Sequence, residues 1–270
     1  MSSPLLAGVS KPRLWWEIAI VLSLGLGQSA VYAIVAIVNR LTRDERLSQQ
    51  TATLNPSLSD REIFDLIYQL LEIAFSLAPV LLVCYLLWMP TRPHLSRLGL
   101  PDLHGVGVRP ASDGIRGLSL AFIIGLGGLG VYLGARALDL GVAVNPAGLD
   151  AHWWTVPVLL LSALRAGLQE EIVVLGYLFA RLRDVGWGQG RWGQWQIILG
   201  AALLRGTYHL YQGFGGFIGN FVMGVIFGWL YTRWGRVLPF VIAHVVIDAA
   251  IFVGYPWAAA TFPLLFGLPT

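Results

Sequence analysis

The sequence predicts an all-α fold, a polytopic helical bundle embedded in a membrane, with seven to eight transmembrane helices. Three observations lead there. Hydrophobic residues make up 56% of the chain and charged residues only 12%, whereas an ordinary soluble domain is about a quarter charged. The apolar residues are gathered into runs near the roughly 20 residues that a helix needs to cross a bilayer. The basic residues collect in the connections between those runs. At 270 residues the chain is expected to form one domain, 1–270.

The predicted spans run Leu14–Val38, Ile63–Met89, Gly117–Leu138, Trp153–Ala180, Trp195–Gln212, Gly216–Thr232 and Val237–Gly254. The first follows Lys11 and Arg13 and exceeds a signal-peptide core, so it reads as a retained span. The last stretch, Trp257–Leu268, is short and bordered by prolines, and is expected to be interfacial or re-entrant. Glycine pairs four apart, Gly130/Gly134, Gly215/Gly219 and Gly224/Gly228, predict close helix approach.

Arginines alternate between connections. They occur in 90–116 (Arg92, Arg97, Arg109, Arg116), after the fourth span (Arg181, Arg183, Arg191) and after the sixth (Arg233, Arg236). None occurs in 139–152. This places the N-terminus in the cytoplasm, in an integral protein expected in a bacterial plasma membrane. The first connection, with Arg40, Arg43, Arg46 and Arg61, runs against the pattern. The net charge of +3 comes with no basic, aromatic-bearing stretch, which argues against nucleic acid as a partner. Cys84 is the single cysteine, so an intrachain disulfide is excluded.

Ionisable groups inside spans cost about 2.5–3.5 kcal/mol each and mark function by default. His94, His104 and His152 fall in connections. The other histidines do not: His209 lies in the fifth predicted span, with Arg205 four residues before it, and His244 in the seventh, with Asp248 four residues after it. Each pair shares a helical face. Glu170 and Glu171 lie in the fourth span, about 100° apart around the axis, so one faces a shared site and the other pairs laterally. Asp65 and Glu72 flank Gln69 on the second span and read as a water-facing or interfacial face. Glu17 reads as a boundary residue.

The order Gln169-Glu170-Glu171-x-x-x-Leu175-Gly-Tyr177, then His209, then Pro239-x-x-x-x-His244-x-x-x-Asp248 resembles the CPBP family (CAAX proteases and bacteriocin-processing proteins, also called Abi). Its motifs are Glu-Glu-x-x-x-Arg, Phe-x-x-x-His and His-x-x-x-Asn/Asp. The similarity covers a core at about 97–253. Two positions depart from the pattern: Leu175 stands at the motif arginine, and Arg205 at the phenylalanine four before His209. The resemblance implies an intramembrane endopeptidase acting on a membrane-embedded or lipid-anchored peptide. Glu170 and His209 would activate water, His244 would donate to the oxyanion and Asp248 would orient it. Glu171 and Arg205 complete the candidate set. A site with no cofactor is favoured; two histidines and a carboxylate leave zinc as the alternative, although the local His-Glu-x-x-His pattern is absent. A non-catalytic, immunity-type membrane partner and a solute or proton pathway are the other function classes.

Overall fold

The computed structural model describes residues 10–87, 109–146 and 148–262. Much of the connection 90–108, with Arg92, His94, Arg97 and His104, lies outside the described residues, as does most of the final stretch, 263–268.

Ten helices appear among the described residues: α1 (Lys11–Ser23), α2 (Leu26–Leu41), α3 (Glu62–Ser76), α4 (Ala78–Leu86), α5 (Pro110–Ala137), α6 (Thr155–Glu171), α7 (Phe179–Asp184), α8 (Gly193–Tyr208), α9 (Phe214–Trp234) and α10 (Leu238–Thr261). A π-helical segment, Ile172–Leu178, joins α6 to α7. Two three-residue strands, β1 (Thr51–Thr53) and β2 (Ala143–Asn145), pair in parallel. Proline opens α4, α5 and α10, where its missing N–H is no loss.

The polarity of this bundle is inverted relative to a water-soluble one. Asp65, Asp113, Glu171, Arg181, Arg205 and His244 are buried, while Tyr85 is 76% exposed and Phe122 on α5 is 68% exposed. Large apolar side chains turned outward along whole helices require a lipid surround. Four helical stretches are long and apolar enough to cross a membrane: Glu62–Leu86, Pro110–Ala137, Phe214–Trp234 and Leu238–Ala258. A fifth is reached if α1 and α2, bent by 59° at their break, count as one span. The expected seven to eight are not reached by length and composition. α8, at 16 residues, is about 24 Å long, short of the ~30 Å hydrocarbon layer, and α6 ends after 17 residues at the π segment. Trp257 to Thr261 continue α10 past Pro256 instead of starting a separate interfacial element.

The connections gather at two ends. At one end β1 meets β2, Arg136 donates to the Ser48 carbonyl, and the Val142 amide donates to the Gln212 carbonyl. This joins the first connection, the one after α5 and the one after α8. At the other end Arg236 pairs with buried Asp113, Arg116 lies over Trp234, and Arg181 donates to the Leu86 carbonyl. The described connections thus gather at opposite ends of the bundle. The anomalous Arg40 is tied down locally, donating to Gln50 and to the Thr51 carbonyl.

α10 packs on α5 and α6, and α8 on α9. Small residues set these approaches. A Cβ on Gly117 would lie 2.6 Å from Ile242, and one on Gly167 2.6 Å from Val245. The expected pairs Gly215/Gly219 and Gly224/Gly228 do face neighbours: Gly215 faces Ala135 and Gly224 faces Ala202. Gly130 and Gly134 do not, since nothing lies within 4 Å of either; they open α5 to its surroundings instead of seating a helix.

Two boundary readings are corrected. Asp65 is buried, accepting from the Leu58 amide, the Ser57 hydroxyl and Gln69, which also donates to the Pro56 carbonyl. The pair therefore moulds the loop before α3 and does not face water, whereas Glu72 is exposed. Glu17 accepts from Arg181 Nε at 2.7 Å and from the Tyr177 hydroxyl at 3.0 Å, tying α1 to α7.

The connection end is clasped by Asp139, which accepts from the Ser48 hydroxyl at 2.6 Å and the Ser48 amide at 2.8 Å. These two donors hold the Asp139 carboxyl below its ordinary range. A depressed folded pKa gives stability that is present above the unfolded value of about 3.9 and is lost as pH falls through the folded value. Protection of the Ser48 amide against hydrogen exchange, corrected for intrinsic rate, is expected to stay level from pH 7 to 5 and to fall below about pH 4. Asp139→Asn should flatten that dependence.

Candidate active site within the bundle

The six side chains singled out from sequence converge, and they do so around Arg205. This residue is 1% exposed, on the last turn of α8. Its guanidinium grips Glu171 with both terminal nitrogens, Nη1 to Oε2 at 3.2 Å and Nη2 to Oε1 at 2.5 Å. Nη2 also lies 3.3 Å from Glu170 Oε2 and 3.0 Å from His244 Nδ1. Its carbon sits 5.4 Å from the centre of the Phe227 ring on α9. A fork meeting a carboxylate at two points is the strongest form of this pair.

The two adjacent glutamates divide as their 100° offset demands. Glu171, the last residue of α6, is fully buried and held by Arg205 and by His244 Nδ1 at 2.7 Å. Nδ1 either donates to Glu171 or accepts from Arg205, according to the tautomer. Glu170 is the more open carboxylate, its side chain 13% exposed. It accepts from the Tyr208 hydroxyl at 2.7 Å, and His209 Nε2 stands 3.8 Å away. The π-helical turns that begin right after Glu171 are a helix form found often at functional sites.

His209 is placed differently from the sequence expectation. It is the residue that ends α8 and not a residue within a span, with φ −99° and ψ 2°. Both its ring nitrogens are buried without a hydrogen-bond partner. Its ring lies 4.9 Å from Tyr208 and 6.4 Å from Tyr211, nearly parallel to the latter. On α10, His244 Nε2 is 3.4 Å from Asp248 Oδ2, one turn along, as the spacing of four predicts.

Sequence reasoning missed two groups. Tyr208, which donates to Glu170, carried no signal beyond its place beside His209. Arg165, an arginine in the fourth predicted span, was itself an intramembrane charge; its Nε is buried without a partner. Leu175, at the motif arginine position, is buried in the apolar core. Among the described residues, no group of three His, Cys, Asp or Glu side chains is arranged to hold a metal ion.

Chemically, the cluster offers one carboxylate open on one side, an imidazole with free nitrogens beside it, and a second imidazole oriented by acids on both sides. Residues 152–250 match a family model described as Rce1-like, type II CAAX prenyl endopeptidase. No curated protein and no solved structure matches the chain.

Removing Arg205 should strand two buried carboxylates. Breaking one partner of a buried pair costs about 3–5 kcal/mol, so Arg205→Met is expected to lower the unfolding temperature in detergent by several degrees. Arg205→Met with Glu171→Gln should cost less than the sum of the two changes, because they share one interaction. Additive losses would show that the two groups are energetically independent.

Proposed function

We propose that this integral membrane protein is an intramembrane endopeptidase, a reading supported by the match of residues 152–250 to the Rce1-like, type II CAAX prenyl endopeptidase family model. It hydrolyses a peptide bond in a membrane-associated substrate by means of a water activated by Glu170 and His209. The observation that carries this reading is the division of labour between the glutamates. Glu171 is bound on both oxygens by Arg205 and His244, whereas Glu170 keeps an open side facing the unpaired ring of His209.

In this mechanism a water held between Glu170 and His209 gives its proton to Glu170 as its oxygen attacks the scissile carbonyl carbon. Glu170 meets the geometric requirement for a general base, a carboxylate with one side open beside the imidazole that shares the water. The carbonyl oxygen becomes an oxyanion and accepts from His244 Nε2, whose 3.4 Å contact with Asp248 is loose enough to yield to it. The C–N bond then breaks, and Glu170 returns the proton to the leaving nitrogen. Tyr208, donating to Glu170, fixes the orientation of that carboxylate.

Arg205 supplies from α8 the cation that the family motif carries at the position of Leu175. The relocation keeps a positive charge against the glutamates while Leu175 fills the core. It also bears on the metal question. A divalent ion bound by Glu170 or Glu171 would stand beside a guanidinium already in contact with both, and like charges at that separation repel strongly in a low-dielectric interior. The residues as arranged therefore favour a site built from protein groups alone. The end of the bundle carrying Lys11, Arg183, Arg191, Arg233 and Arg236 is assigned to the cytoplasm by the positive-inside rule.

In proteoliposomes with a quenched prenylated peptide, Glu170→Gln is expected to lower kcat by about 10²–10⁴-fold, the typical worth of a general base, with the unfolding temperature unchanged. Activity kept within a few-fold would remove Glu170 as the base. No turnover by the unmodified protein on membrane peptides would favour the non-catalytic reading.

Activity should also survive prolonged treatment with strong chelators. Loss on chelation, restored by zinc in proportion to metal content, would make the enzyme a metalloprotease.

A further inference from the structure

The start of α8 and the end of α9 close around a cavity that the peptidase mechanism does not use. It holds about 460 Å³, within the roughly 300–1,000 Å³ of small-molecule sites. Arg191 lines it from the loop before α8, and Arg233 from the last turn of α9. Trp195 and Trp229 line it from the same two helices, and no acidic side chain among the described residues does. Neither arginine is paired with a carboxylate among the described residues. Each rests on an indole instead. The guanidinium carbon of Arg191 lies 5.8 Å from the Trp192 ring centre, and that of Arg233 lies 4.4 Å from Trp229.

The loop that brings Arg191 there is shaped by its glycines. Gly188 and Gly190, both lining the cavity, have φ +86° and +77°, a conformation that other residues rarely adopt. A side chain on Gly193 would collide with the Gly188 backbone, so the loop lies directly on the first turn of α8, whereas nothing stands within 4 Å of a Cβ on Gly190. α8 has no side-chain cap, and the amide of Gln194, a lining residue at its second position, has no backbone acceptor among the described residues. The positive end of the helix thus adds one donor to the two guanidiniums. Arginines and tryptophans are common where helices leave a bilayer, which explains each residue singly. It does not explain two guanidiniums lining one cavity with no acid between them, where like charges repel unless an anion intervenes.

We propose that this cavity binds a phosphate group, supplied by an anionic phospholipid of the leaflet at that end. Guanidinium forks match phosphate oxygens at two points each, and basic pockets between spans suit such headgroups. The depth is right, since Arg233 is the last residue but one of a stretch, Phe214–Trp234, long and apolar enough to cross a membrane. The surface beside the cavity favours a lipid over a free phosphate. From Trp195, Leu199 and Leu203 follow at intervals of four along α8, all exposed. They lead about 12 Å inward, against a half-layer of about 15 Å. Trp229 and Val222, two turns apart on α9, present a second exposed apolar row. A free phosphate satisfies the same forks but makes no use of these rows. The site is independent of the peptidase reading.

The test measures binding and does not depend on turnover. The full chain, delipidated in neutral detergent, is titrated with phosphatidylglycerol, phosphatidylcholine, glycerol phosphate and inorganic phosphate, and bound copies are counted by native mass spectrometry. One phosphatidylglycerol is expected to bind at least about ten-fold tighter than phosphatidylcholine and to raise the unfolding temperature more. Arg191→Gln with Arg233→Gln should bring the two lipids to one affinity. Arg191→Lys with Arg233→Lys should keep part of the preference, since an ammonium keeps the charge and loses the fork. Arg13→Gln, at an exposed position on α1 outside the cavity, should keep all of it. Phosphatidylglycerol binding tighter than both soluble phosphates would support the lipid source. Soluble phosphates binding as tightly, in a manner lost in the glutamine pair, would keep the phosphate site and overturn that source. Equal affinity for the two lipids, or a preference that survives the glutamine pair, would overturn the proposal. So would a preference lost equally in Arg13→Gln, which would show that diffuse charge at this end attracts the lipid. If the glutamine pair does not fold, Arg191→Gln alone decides, because Arg191 is exposed in a turn: a lowered preference supports the site and an unchanged one overturns it.

Discussion

Two glutamates in sequence at the end of α6, inside a bundle surrounded by lipid, cannot be held ionised without a cation. Arg205 provides it, and much of the architecture follows from that requirement. The guanidinium comes here from a neighbouring helix, and its bonds hold the last turn of α8 against the end of α6. Its short length leaves His209 at its last turn, next to Glu170. His244 on α10 closes the third side, taking Glu171 through Nδ1. The close seat of α10 on α6 is secured by Gly167, where a side chain would collide with Val245, the residue after His244. Three helices are thereby fixed by one charge-assisted network, and a low dielectric makes such a network strong when complete and costly when broken.

The same economy of charge recurs at the ends of the bundle. Asp113 at the start of α5 is paired with Arg236 in the turn between α9 and α10, and Arg181 on α7 is shared by Glu17, Asp184 and a backbone carbonyl. The Asp113–Arg236, Glu17–Arg181 and Arg181–Leu86 contacts each join elements distant in sequence, while Asp184 lies one turn from Arg181 on the same helix. At the opposite end the parallel strands and the Ser48–Asp139 clasp do the corresponding work. In a lipid surround the apolar surface of each helix gains little from turning inward, so register between helices comes from small-residue contacts and polar pairs such as these.

The sequence alone determined the class of fold, because a chain that is 56% hydrophobic and segmented by arginine-bearing connections can satisfy its backbone only as membrane helices. It also determined which residues belong to the candidate site. Charges are so disfavoured within spans that Glu170, Glu171, Arg205, His244 and Asp248 were visible as anomalies, and the i, i+4 spacing alone brought His244 to Asp248. The tertiary structure decided the rest. Only packing shows that Arg205 faces inward and bridges both glutamates, since a long side chain on a helix could equally reach toward a membrane surface. Only packing shows which of the two offset glutamates is enclosed and which stays open, and only the short α8 puts His209 at a helix end. The burial of Asp65 depends on how the loop before α3 folds back on it, and the outward face of Gly130 and Gly134 on where the other helices pack, and neither is encoded by a helical pattern.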